Sequence, residues 1–115
     1  MYNKDNIFAK IIRKETPCNT IYEDEMVMFF NDLYPQARIH ILGIPKIDVT
    51  DFSDFIEKGS LNIVNHFFSK VYDVINISGI KQSGYKIITN SGKDANQEVP
   101  HFHIHILGGE KLKNI

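Results

Sequence analysis

Two hydrophobic periods divide this chain. Near its start, Asp5-Asn6 offers an N-cap, and Ile7, Phe8, Ile11 and Ile12 form an apolar stripe. This predicts a short helix, ended by Pro17 and Asn19. Thr20–Glu23 and Met26–Phe30 then read as two strands around an Asp24-Glu25 turn, a hairpin over 20–31. Pro35 punctuates the loop that follows, and Arg38–Pro45 is a third strand, apolar apart from His40. From Asp54, the residues Phe55, Ile56, Leu61, Val64, Phe67, Phe68, Val71, Val74 and Ile75 recur at threes and fours. They predict a longest helix that is broken or bent near Gly59-Ser60. Gly84–Asn90 is a fourth strand, Ser91–Glu98 a polar loop, and Lys111–Ile115 a short tail. This order predicts a single α+β domain over 1–115: a mainly antiparallel sheet, one long helix packed on it and a short N-terminal helix.

The period of two is most regular in His101-Phe102-His103-Ile104-His105-Ile106-Leu107-Gly108-Gly109. As a strand, this stretch puts three histidines on one face and Phe102, Ile104 and Ile106 on the other. At ~3.3 Å per residue, the histidine row spans roughly 13 Å, enough for a phosphate and its neighbours. Three of the chain's five histidines fall in this run. A half-exposed strand merely tolerating them is the bland alternative. Histidines at i, i+2 sharing a metal ion are a second, because neutral imidazole is a common ligand. The third is nucleophilic chemistry, with one imidazole attacking and its neighbours stabilising charge. His40, taken alone in an apolar strand, reads as a core histidine. His66 reads as a surface or packing residue.

Composition narrows the classes. Apolar residues are 43% and charged residues 23% of the chain, as in ordinary globular proteins. A net charge of −1 without a basic block argues against a broad nucleic-acid surface. The lone Cys18 excludes an internal disulfide and a cysteine-based zinc knot. No apolar run reaches ~18 residues and the start lacks a signal-peptide core, so the expectation is a cytoplasmic protein without a membrane segment.

The run His101–Leu107 satisfies the signature His-φ-His-φ-His-φ-φ, with φ apolar, and so resembles the histidine triad (HIT) family. Ile7–Arg13 is similar to the opening helix of its Hint-like branch, Ile21–Glu25 to its first hairpin, and Pro35–Lys46 to its third strand. The resemblance implies hydrolysis or transfer at the α-phosphate of a purine nucleotide through a nucleotidyl-histidine. The expected reaction is cleavage of a purine nucleoside phosphoramidate to the nucleoside monophosphate. His103 would be the nucleophile, His105 would meet the phosphate oxygens, and His101 and His40 would hold the network. Asn90 and Gln97 would hydrogen-bond the phosphate, and Asp32 the ribose hydroxyls. Ile7, Phe8, Ile11, Phe30, Leu33 and Leu42 would form the slot for the base. A homodimer, built through the long helix and a sheet edge, is implied, and neither a cofactor nor a divalent metal. A dinucleoside polyphosphate hydrolase and a non-catalytic nucleotide-binding module are the rival readings.

Three departures from the family pattern stand out. Asn6 and Ala9 occupy positions of a cysteine pair that binds structural zinc in many bacterial relatives, so no zinc is expected there. Glu98 stands where a serine assists the leaving group. Asn96 replaces a glycine, and Glu110 stands where an arginine is frequent; the tail after the triad is also short. A carboxylate at 98 donates a proton only if its pKa is raised, which leaves the leaving-group preference open.

Overall fold

The structure, a computed structural model, describes residues 1–115. Its elements in chain order are α1 (Ile7–Ile12), β1 (Thr20–Glu23), β2 (Val27–Asn31), β3 (Ile39–Pro45), α2 (Phe52–Lys58), α3 (Leu61–Ile77), β4 (Tyr85–Ile88) and β5 (Ile104–Gly108). The strands form one antiparallel sheet in the order β1-β2-β3-β5-β4, so β4 is an edge. The fold is α+β, as the periodicity predicted.

Alternation along the strands builds two separate cores. On one face, Val27, Phe29, Ile41, Ile104 and Ile106 pack with Phe55 of α2 and Phe67, Val71, Val74 and Ile75 of α3. On the other, Met28, Phe30, Leu42 and Ile44 pack with Phe8 and Ile11 of α1. Phe29 lies so close to β3 that a Cβ at Gly43 would come within 2.4 Å of its ring. His40 shares the α1 face with Leu42, and β3–β5 pairing sets Leu42 opposite His105. The helix face is therefore filled, while the α1 face carries the histidines and is only partly covered.

One sequence expectation is resolved here and another needs correction. At Gly59-Ser60 the helix is broken and not bent, giving α2 and α3. Asp51 caps α2 through the Asp54 amide, Gly59 leaves it with extended geometry, and the Ser60 side chain caps α3 through the Ile63 amide. A fresh N-cap at Ser60 makes a new start more favourable than a bend. The histidine run also enters the sheet later than its alternation suggests. β5 begins at Ile104. Before it, the His101 amide bonds to Val99 O, the Phe102 amide to Val49 O, and the His103 carbonyl accepts from Thr89 Oγ1. Side chains still alternate through this stretch, but its backbone bonds go to loops.

Candidate active site

On the α1 face, an open pocket of about 580 Å³ is lined by Phe8, Asp32, Tyr34, Gln36, His40, Leu42, Asn90, Asn96, Glu98, Val99, His103 and His105. A larger groove of about 780 Å³ lies beside the C-terminal tail, but no histidine lines it. The chemistry gathers in the smaller one.

Hydrogen-bond partners fix where each histidine carries its proton. His103 Nδ1 lies 2.7 Å from the His101 carbonyl, which can only accept, so the proton is on Nδ1 and the Nε2 lone pair is free. No buried side-chain nitrogen or oxygen lacks a partner, so this unpartnered Nε2 is open to the pocket. Phe8 presses edge-on against the His103 ring at 4.9 Å between centroids, holding its plane. A second chain starts at the Gln36 amide, which donates to His40 Nδ1 at 2.9 Å. His40 must therefore carry its proton on Nε2, which lies 2.9 Å from His105 Nδ1 and 3.3 Å from Asp32 Oδ2. With Nδ1 of His105 accepting, its Nε2 is left as an N–H donor. The site presents a lone pair on one imidazole and a hydrogen-bond donor on the next, with ring centroids 5.2 Å apart.

Burial keeps these rings neutral. It lowers the pKa of His101 to about 4, aided by His103 and opposed by the Pro45 carbonyl. Burial also lowers His105 to about 4, with His103 and His40 adding to the effect. His103 and His40 shift down as well, again mainly by burial, against the pull of Asp32. An unfolded histidine titrates at about 6.5, so between that value and 4 the unfolded chain binds more protons than the native one. Stability is then complete above pH 6.5 and falls as the pH drops towards 4, by about 3 kcal/mol from His101 alone. Urea midpoints at pH 7 and pH 5 will show this loss. Equal midpoints would mean that the rings protonate in place.

The remaining predicted residues divide. Asp32, Asn90, Glu98, Phe8 and Leu42 line the pocket with the histidines. His101 is fully buried behind it, and Ile11 and Phe30 lie in the α1 core. Ile7 and Leu33 are exposed, at 42% and 82%, and neither lines the pocket. Ile7 opens a one-and-a-half-turn helix whose buried stripe is Phe8, Ala9 and Ile11. Gln97 stands apart because its amide is already used. Its Oε1 accepts from the Gly92 amide, and its Nε2 donates to the Thr50 and Val99 carbonyls. It ties the 92–99 loop together. Asn90 donates to the Ala95 carbonyl and keeps its carbonyl oxygen uncommitted.

Tyr34, Gln36 and Val99 were not singled out by sequence and also line the pocket. Gln36 acts through its backbone amide, which no side-chain pattern reports. His66, read as surface or packing, pairs with Asp24 Oδ2 at 2.6 Å and ties α3 to the β1–β2 turn. Asp32, His40 and His105 offer ligand atoms within 4.8 Å of one another and are the group that could close on a metal ion. The hydrogen bond between His40 Nε2 and His105 Nδ1 engages both nitrogens in this arrangement. The histidine that lines the pocket with a free lone pair, His103, is not in that group.

The HIT domain family model matches residues 13–112. A HIT-like protein of Rickettsia prowazekii is 49% identical over 97% of this chain and 93% of its own length. The purine nucleoside phosphoramidase of Escherichia coli is 36% identical over 95% of this chain and 91% of its own. A histidine triad protein from Clostridium difficile superposes with a TM-score of 0.89 at 41% identity, covering 100% of this chain and 99% of that one. With the family model matched over residues 13–112 and these likenesses covering nearly the whole length, the chain belongs to the HIT family.

Proposed function

We propose that this single-domain protein hydrolyses purine nucleoside phosphoramidates to the nucleoside monophosphate, with His103 as nucleophile. The fixed proton on His103 Nδ1 carries the reading, because it leaves Nε2 as a neutral nucleophile open to the pocket. Nε2 attacks the α-phosphorus, a P–Nε2 bond forms and the P–N bond of the substrate breaks. The leaving amine takes the electron pair and a proton from solvent. Water then attacks the same phosphorus and gives a proton back to solvent, the P–Nε2 bond breaks with its electron pair returning to His103, and the monophosphate leaves. The His105 Nε2–H donates to a phosphate oxygen as its charge grows.

Electrostatics favours this substrate over a dinucleoside polyphosphate. The pocket is lined by two carboxylates, Asp32 and Glu98, and by no lysine or arginine. With its histidines neutral, such a site disfavours a chain of anionic phosphates and accepts a phosphoramidate carrying one negative charge. Turnover of an adenosine phosphoramidate and of a diadenosine polyphosphate, side by side and with EDTA, tests the reading. Faster cleavage of the polyphosphate overturns it, and AMP binding without turnover of either would favour the non-catalytic module.

Asp32 is assigned to the ribose. Its Oδ1 accepts from the Tyr34 amide at 2.8 Å and its Oδ2 faces His40, so the carboxylate is held as an acceptor at the pocket wall. Asp32→Ala is expected to weaken binding of AMP about tenfold and of 2′-deoxy-AMP by less. Equal losses would remove the ribose role. The apolar wall of Phe8, Leu42 and Val99 is assigned to the base.

The same reading includes a homodimer in the cytoplasm. It is supported by the free edge of β4, where Tyr85 and Ile87 are exposed, and by exposed Phe68 and Tyr72 on α3. Sedimentation at micromolar concentration is expected to give twice the 13.3 kDa chain mass. No helix is long and apolar enough to cross a membrane.

A further inference from the structure

His101 neither lines the pocket nor touches the solvent, yet both of its ring nitrogens are committed. Its Nε2 lies 2.8 Å from the Pro45 carbonyl and must donate to it. Its Nδ1 is therefore an acceptor, and Tyr2 Oη lies 2.5 Å away. The orientation of that hydroxyl is set in turn by Asn6. Asn6 Oδ1 accepts the Ala9 amide at the start of α1, which aims Nδ2 at Tyr2 Oη, 2.9 Å away, and at the Asn3 carbonyl. Asn6 donates to the tyrosine oxygen, so the single Tyr2 hydroxyl proton is left for His101. Every donor in this chain meets an acceptor, and it runs one way from α1 to Pro45 on β3. Its central ring belongs to the residue whose carbonyl receives the His103 proton.

We propose that Tyr2 and Asn6 are positioning residues for the triad. Acting through His101, they hold the 101–103 segment so that the His101 carbonyl keeps the His103 proton on Nδ1. The segment needs such a hold because it precedes β5 and has no strand ladder around it. Neither residue lines the pocket. The Tyr2 ring also packs edge-on against His101, at 5.6 Å between centroids, so deleting only its hydroxyl separates donation from packing.

This inference rests on His103 being the nucleophile, and two variants test it. Tyr2→Phe keeps the ring and removes the donor. Asn6→Asp keeps the helix cap but replaces a donor with an acceptor, which draws the Tyr2 proton away from His101. In both, kcat for the phosphoramidate is expected to fall about tenfold while KM and AMP affinity hold within about twofold. Imidazole ¹⁵N spectra are expected to show His101 and His103 losing their single tautomers. Full kcat in either variant, or a fall in kcat with both tautomers intact, overturns the proposal even if the melting temperature drops. Should Tyr2→Phe fail to fold, Asn6→Asp decides alone. The spectra do not depend on turnover, so a nucleophile other than His103, revealed by the His103→Ala control, is a separate failure.

Discussion

His103→Ala should abolish phosphoramidate turnover, by on the order of 10⁴-fold or more, while the protein folds and binds AMP within a few-fold of wild type. The size of the effect follows from what is removed. Without Nε2 no covalent intermediate can form, and water must attack the α-phosphorus directly in a pocket whose other histidines are arranged to donate or to support. Binding survives because the His105 donor, Asp32 and the wall made by Phe8, Leu42 and Val99 are untouched. The cavity left beside Phe8 costs some stability, so activity must be compared per folded molecule, with His103→Gln as a bulkier control. Turnover within tenfold of wild type would move the nucleophile elsewhere. Loss of both turnover and AMP binding would mean that His103 holds the ligand or the fold instead.

The second large effect lies one residue away, on the opposite side of the chain. Phe102→Ala is expected to cost about 3–5 kcal/mol, a large share of the roughly 5–15 kcal/mol that holds a domain folded. Phe102 is wholly buried, stacked on Phe55 at 4.7 Å and packed against Phe67 at 5.5 Å between ring centroids. It joins α2 and α3 to the chain that carries His101 and His103, so burying Phe102 turns its neighbours towards the pocket. Urea unfolding gives the stability cost directly. Activity of the surviving folded fraction should fall as well, since the 101–103 segment loses its anchor on the helix side. A cost below about 1 kcal/mol would show that the aromatic cluster closes over the gap and that the anchor lies elsewhere.

Much of this could be read before any coordinates. Alternation in the histidine run reports which way side chains point, and it separated Phe102, Ile104 and Ile106, which join the helix-side core, from His103 and His105, which line the pocket. It does not report where backbone amides go. For that reason His101–His103 looked like strand, although their partners are Val49, Val99 and Thr89. At Gly59-Ser60 the sequence left a break and a bend both open, because two successive helices packed on one sheet face keep the same spacing of apolar residues. Gln97 shows another limit. The family resemblance implied a phosphate donor there, but in this structure its amide meets Gly92, Thr50 and Val99, and only folding brings Thr50 there. Tyr2 left no signal at all, being one tyrosine in a polar N-terminal stretch 99 positions from the histidine it bonds.

The chain of donation from Gln36 through His40 to His105 has a consequence for how the site meets changes in acidity. In many hydrolases one group works charged and its partner uncharged, so the rate is confined to a window between two titrations. In the proposed reaction the attacking nitrogen and the donating nitrogen both belong to neutral rings, told apart by which edge the backbone has claimed. Alkali takes nothing from either. Such a pair has a floor but no ceiling of its own, so a fall in rate on the alkaline side reports the supply of the proton that the leaving amine takes and not the two rings.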